Sequence, residues 1–336
     1  MKRMSVFFLK KAVRLSIIVA VVSGFSFTMV NLAPLDPVTA YLGFDRMQIS
    51  QAQEEQIVQR WGLDKPPVQR FLIWIKHVIT GDFGRSVIFN QPVTGVIAKR
   101  FGASLWLMAL AWGISGICGF VLGVVAGTYR GSFLDQGVRL YAYVLASTPA
   151  FWIGMLLLVI FAVQLGWLPF CCAGPLGVPP DEITFLQRLR HLLLPAFTLS
   201  IIGVAQIALH TREKMIDVFM SDYALFAFAQ GESRLGVALR HGLRHALLPA
   251  VTLQFATLGE LFGGSVLAEQ VFSYPGLGRT AVEAGVRGDV PLLLGIVLFS
   301  TLFVVAGNTT ADLIYEIVDP RIRLGKGDHG ADNHPG

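Results

Sequence analysis

Charge is scarce in this chain of 336 residues: Asp, Glu, Lys and Arg make up 15%, against 54% hydrophobic residues. That balance excludes an ordinary water-soluble domain. Where the charges are missing matters more than the average, because a helix crossing hydrocarbon takes about 20 apolar residues and tolerates ionised side chains poorly. The stretches 15–35, 101–129 and 140–180 contain no acid or base, and the windows 191–211, 246–268 and 290–311 hold one acid between them, Glu260. The pattern predicts an all-α integral membrane protein with about six transmembrane helices in a lipid bilayer.

Other absences narrow the function. No G-x-x-x-x-G-K-[ST] loop is present, so the chain has no such cradle for nucleotide phosphates. Neither a G-x-S-x-G elbow nor an H-E-x-x-H pair appears, which argues against an intramembrane enzyme. The three cysteines, Cys118, Cys171 and Cys172, make neither a disulfide framework nor a spaced zinc pattern, and no metal site is predicted. The adjacent pair leaves three readings open: a vicinal disulfide, a soft metal contact or plain packing. No repeat with a period of 20–50 residues is evident.

Lys10, Lys11 and Arg14 precede the first apolar stretch, which is too long for a signal peptide and lacks a small-x-small cleavage site, so it reads as a retained helix. Orientation follows from basic residues in short loops. They cluster at the N-terminus and between alternate spans, at Arg130, Arg139, Arg212, Lys214, Arg234, Arg240 and Arg244, and again at Arg321, Arg323 and Lys326; the opposite short loops hold only Arg188, Arg190, Arg279 and Arg287, and the other eight bases lie in the long segment after the first span, which translocates largely regardless of charge. Both termini are therefore expected in the cytoplasm. The net charge of +5 then reports leaflet preference and not nucleic-acid binding, since the bases flank spans and form no stripe.

The chain divides into a cytoplasmic N-terminus with the first span (1–32), an external subdomain (33–100), a core of five spans (101–320) with a cytoplasmic loop at 212–245, and a cytoplasmic tail (321–336). Prolines break the chain at 31–37, and helices are expected over 51–61 and 68–79. Gly119, Gly123 and Gly127 leave one face of the second span bare for close helix packing, and Gly259 with Gly263 repeats the device in the fifth.

The cytoplasmic loop is the most informative segment. A helix ends near Met220, a short second helix runs from Asp222 to Gln230, and Gly231 supplies a turn. Asp222 is expected to cap the short helix. Tyr223, Phe226 and Ala227 fall at i, i+3 and i+4, giving an apolar face outside the membrane. That face either folds back on the bundle or fits a groove on a cytoplasmic protein.

The run Tyr223-Ala224-Leu225-Phe226-Ala227-Phe228-Ala229-Gln230-Gly231, with Leu247-Leu248-Pro249 after it, resembles the coupling loop of binding-protein-dependent ABC permeases. Gly81-Asp82-Phe83-Gly84-Arg85-Ser86, Thr148-Pro149-Ala150-Phe151-Trp152, Val271-Phe272-Ser273-Tyr274-Pro275-Gly276-Leu277-Gly278-Arg279 and Asp319-Pro320-Arg321-Ile322-Arg323 are similar, in the same order, to the dipeptide, oligopeptide and nickel branch. Leu225 and Phe228 depart from it, standing where that family has bases, and His210 stands where it has arginine.

The resemblance implies a type I importer permease fold in the bacterial inner membrane. It implies a second homologous permease subunit, two ATP-binding subunits that use ATP and Mg, and a periplasmic substrate-binding protein, with no cofactor on this chain. It assigns ATPase coupling to Asp222, Tyr223, Phe226, Ala227, Phe228 and Gly231, and an outer gate to Tyr274, Pro275, Gly276 and Gly278. Glu260, an ionisable group in a span, is a candidate for the translocation path, with His210 a second one; a hydrogen-bonded glutamate in a helix interface is the plainer reading. The run Gly259-Glu260-Leu261-Phe262-Gly263-Gly264 looks more like the nickel branch than the peptide branch, and short peptides and nickel or similar metal complexes both fit a carboxylate in the path. An ion-coupled carrier built on Glu260 is the alternative, and it has no use for the cytoplasmic loop.

Overall fold

The computed structural model describes residues 2–32, 41, 51–179 and 181–318. The proline break at 31–37, the Asp319–Arg323 motif and the tail lie wholly or largely outside them. Among the described residues the protein is helical, with one isolated bridge between Arg85 and Pro92. The helices are α1 (Lys2–Leu32), α2 (Gln51–Trp61), α3 (Pro67–Ile79), α4 (Val93–Thr128), α5 (Phe133–Ala146), α6 (Ala150–Leu157, continued by a π-helical segment Leu158–Gln164), α7 (Phe185–Phe219), α8 (Asp222–Ala229), α9 (Arg234–Val237), α10 (Leu243–Ala256), α11 (Leu258–Val271), α12 (Leu277–Arg287) and α13 (Val290–Val318).

Four segments are each long and apolar enough to cross a bilayer: Lys11–Leu32, Val93–Thr128, Phe185–Phe219 and Val290–Leu313. Two more reach that length only as bent pairs, Phe133–Leu145 with Ala150–Gln164 at 110° and Arg234–Ala256 with Leu258–Val271 at 55°. Among the described residues there are therefore four unbroken candidate spans, or six if each bent pair is one span. The third and fifth expected spans are the bent ones.

The chain forms two compact units. The first comprises residues 1–105 and 275–305. Its core gathers Phe27 of α1, Trp61 and Leu63 from the end of α2, Trp74 of α3, and Val290, Leu294 and Leu298 of α13. Two carboxylates hold its loops. Asp82 accepts from Arg60 Nη2 (2.6 Å) and from the amide of Gly84 (3.0 Å), and lies 3.2 Å from His77 Nδ1. Asp289 is fully buried and accepts from Ser86 Oγ (2.6 Å), the amide of Ile88 (3.0 Å) and the amide of Leu292 (3.1 Å), so one side chain caps α13 and ties it to the 84–93 hairpin. Gly84 takes φ +80°, and a Cβ there would sit 3.0 Å from the Trp61 ring.

The second unit comprises residues 106–274 and, among the described residues, 306–318. In it α4 lies against α7 at backbone distance. A Cβ on Gly119, Gly123 or Gly127 would come 2.8 Å from Ile207 Cβ, 2.5 Å from Thr211 Cβ or 2.4 Å from Met215 Cβ. The expected glycine face is thus real in the second span. In the fifth it is displaced: Gly263 faces open space, and Gly264 is the glycine that a neighbour, Leu199, approaches.

Removing the Asp289 carboxylate strands buried donors, so Asp289→Ala is expected to destabilise the first unit by about 2–4 kcal/mol. Thermal unfolding in detergent should show it, with Ser86→Ala, which leaves the carboxylate two donors, shifting the transition much less; equal small shifts would refute the assignment. For Asp82, burial pushes the carboxyl up, but the bond from Arg60, the Gly84 amide and the charges of Arg60 and His77 outweigh it and hold the group below the usual carboxylate value. A lowered folded-state value stabilises fully above the unfolded value of about 3.9 and is lost as pH falls through the folded one. Amide exchange over 81–86 should therefore rise below about pH 4, and should already be raised at neutral pH in Asp82→Asn.

Candidate functional site: a helix presented beyond the spans

α7 ends at Phe219, and after Met220 and Ser221 the chain re-enters a helix as α8. The expected cap is corrected here. Ser221 occupies the N-cap and Asp222 is the first helical residue, where a carboxylate still complements the helix dipole. Ser221 does not cap with its side chain, because its hydroxyl donates back to Val218 O (2.5 Å).

The inward face of α8 is small. Ala224 and Ala227 are buried with Val237 of α9, flanked by Phe219 and Phe228, whose rings stack at 6.1 Å and 12°. Ala227, expected on the outward face, is therefore turned in, and Phe228 fastens the helix to the end of α7. The outward face carries Tyr223, Leu225 and Phe226, the last 65% exposed. Tyr223 also stacks on His245 at 5.5 Å, so it is partly held.

Gly231 closes the helix with φ +86°; its amide donates to Phe228 O (2.9 Å) and that of Glu232 to Ala227 O (3.1 Å). Nothing lies within 4 Å of a Cβ built there, so the positive φ alone demands glycine. Beyond it, Arg240 donates to Glu232 at 3.2 Å from a π-helical segment, Ala238–Gly242, that leads into α10.

One pair in this unit escaped the sequence reading. Asp135, near the start of α5, accepts from Arg212 of α7 through both oxygens, from Nε and from Nη2 (3.0 Å), and from the Gly131 amide (2.9 Å). Both residues are buried. Asp135 is the only acid between the second and third apolar windows, which is the signal that was available.

The candidate path residues are not joined by any bond. Glu260 is exposed on the first turn of α11, just past the bend at Thr257. The bend coincides with bonds to a distant segment: Gln254 O accepts from Trp112 Nε1 (3.0 Å) and Thr257 Oγ1 (3.1 Å), while Gln254 Nε2 donates to Trp112 O (2.6 Å) and Ser115 Oγ (3.2 Å). His210 is half-buried on α7, and no hydrogen bond or ion pair joins it to Glu260.

In the second unit the gate residue Tyr274 is buried, its amide donating to Glu269 O (2.9 Å). Burial, then the charge of Glu269, push its phenol up to about 12 against the pull of Arg188, so it stays neutral. In the first unit Pro275 O accepts from Arg100 (3.4 Å), Gly276 is the N-cap of α12 and Gly278 is buried in its first turn. Cys171 and Cys172 are joined as a vicinal disulfide, which decides among the three open readings; Cys171 O accepts from His191 Nδ1 (2.8 Å) and the Cys172 amide donates to Phe272 O (3.1 Å).

Residues 119–324 match the family model described as binding-protein-dependent transport system inner membrane component. The chain is 35% identical to the oligopeptide transport system permease protein AppB of Bacillus subtilis, over 88% of this chain and 92% of that one. It is also 35% identical to a putative peptide permease protein of Brucella suis, over 89% and 92%, and 35% identical to the glutathione transport system permease protein GsiC of Escherichia coli, over 90% and 94%.

Removing one member of a buried ion pair leaves the other charge stranded, so Arg212→Met is expected to destabilise the protein by about 3–5 kcal/mol. Thermal unfolding in detergent of Arg212→Met, Asp135→Leu and the double variant tests this. The double variant should recover most of the loss; additive losses would mean that the two groups do not interact.

Proposed function

Because the chain belongs to the family of binding-protein-dependent transport system inner membrane components, we propose that it forms half of the membrane pathway of an ATP-driven importer for short peptides. The family fixes the coarse part: an inner-membrane permease subunit of an ABC importer. Peptide as cargo is the finer reading, supported by relatives that are named oligopeptide, peptide and glutathione permeases and favoured here over nickel for that reason. A second permease subunit, two ATP-binding subunits and an external binding protein complete the proposed assembly. In the proposed orientation both termini and α8 face the cytoplasm, and the 33–100 segment with the Tyr274 to Gly278 turn meets the binding protein.

The observation that carries the reading is the construction of α8. Its inner face is Ala224 and Ala227, its outer face Tyr223, Leu225 and Phe226, and it is fastened to the end of a span by the Phe219 and Phe228 rings. An exposed apolar helix in water needs a partner. The ATP-binding subunit is that partner, and closure of two such subunits on ATP shifts α8 and α7 as one body. ATP and Mg act in the partner. This chain supplies the lever and the path. At Glu260 the carboxylate sits in the first turn of α11, at the positive end of the helix dipole, and in the proposed path it attracts the amino group of a peptide.

Two variants and one comparison test this. Phe226→Glu puts a charge on the outer face, and Gly231→Leu forces an L residue into the left-handed region at about 1–2 kcal/mol; both should insert normally yet lose most uptake and most substrate-stimulated ATP hydrolysis in the assembled transporter. Normal uptake at normal expression by both would remove the coupling assignment. Cells with and without this permease should differ in accumulation of a labelled dipeptide and not of nickel, and the reverse result would change the cargo.

A further inference from the structure

α3 exposes a stripe that the proposed transport cycle does not use. Val68, Leu72 and Ile79 recur at i, i+4 and i+11, so they share one face, with Ile75 between them partly buried against the core. Val68, Leu72 and Ile79 are 71%, 61% and 80% exposed. The inward face beside it is a different set: Phe71 and Trp74 pack on Phe27 of α1, with ring centroids at 5.2 and 6.0 Å, and Arg70 Nη2 donates to Asn31 Oδ1 at 2.6 Å.

Those contacts set the depth of α3. Phe27 and Asn31 belong to the last turns of the Lys11–Leu32 span, and Trp74 shares its core with Val290, Leu294 and Leu298 at the start of the Val290–Leu313 span. At about 1.5 Å per residue, Phe27 lies about 8 Å inside the end of its span and Leu294 about 6 Å inside its own. A helix packed on both cannot stand clear of the bilayer. It lies at the level where an amphipathic helix sinks about 5–10 Å into the headgroup and acyl boundary. Lys76, exposed, comes next around the helix from the stripe, where its ammonium can reach lipid phosphate while its stem lies along apolar surface.

We infer that α3 is an interfacial helix whose Val68, Leu72 and Ile79 stripe is seated in the lipid leaflet at the Leu32 end of α1, with Lys76 at the phosphate level. The seat rests on the spans alone. Only the naming of that leaflet as the outer one rests on the orientation proposed above.

Nitroxide labels at single cysteines test the seat in the complete transporter reconstituted in liposomes, with Cys118, Cys171 and Cys172 replaced by serine and uptake retained. At positions 68, 72 and 79, collision with oxygen should exceed collision with a water-soluble nickel chelate, and at Asp64 the order should reverse. Chelate dominating at the three positions would place the stripe in water, and low collision with both would place it against protein, either a second permease subunit or a binding protein; each result overturns the inference. The side is read separately, by labelling a cysteine at Asp64 in spheroplasts with an impermeant thiol reagent. Failure to label there would overturn the orientation while leaving the lipid seat standing.

Discussion

Three missing side chains in α4 let α7 lie on it, and much of the second unit is arranged around that contact. The tolerance is small, since a Cβ at Gly123 or Gly127 would come about 2.5 Å from Thr211 or Met215. Hydrocarbon supplies no hydrophobic push between helices, so close approach of backbones is what holds spans together. With α7 fixed against α4 by shape, Arg212 on α7 meets Asp135 on α5, and the end of α7 sets where α8 begins.

The same solvent explains the polar groups inside. In lipid an unsatisfied donor or acceptor is costly. Gln254 answers with three bonds to the Trp112 to Ser115 turn, leaving only its own Oε1 buried without a partner, and in drawing its carbonyl out of the helix ladder it bends the span. Prolines do not: Pro195 and Pro249 both lie inside continuous helices, α7 and α10, and the break comes at Thr257. Asp289 does for the first unit what Gln254 does for the second, gathering donors from a hairpin and a helix start onto one buried acceptor.

The membrane character, the helical class, α2, α3, the glycine face of α4 and the short helix at α8 were legible because each is a local pattern: an uncharged run, a period of four, a turn glycine. What was not legible depends on partners far along the chain. Asp135 and Arg212 are 77 residues apart, and Gln254 is 142 from Trp112, so neither the ion pair nor the bend has a local signature. The inward turn of Ala227 follows from Val237 and Phe219 arriving on that side, which periodicity alone does not reveal. Ser221 rather than Asp222 took the N-cap because the helix begins one residue earlier than the capping preference suggests, a shift within the usual uncertainty of helix ends.

In the proposed coupling, the two ends of the α8 hairpin are not equivalent. On the entry side only Met220 and Ser221 separate α7 from α8, and the Phe219 and Phe228 rings stack across that link, so a displacement of α8 passes into α7 with little slack. From α7 it passes to α4 through the glycine contact and to α5 through Arg212. On the exit side the chain turns at Gly231 and crosses a π-helical segment before α10 begins, and such segments interrupt the regular α ladder. Movement should therefore enter the bundle mainly through α7, while the Ala238–Gly242 segment absorbs the difference before α10 and the bent α11 that carries Glu260.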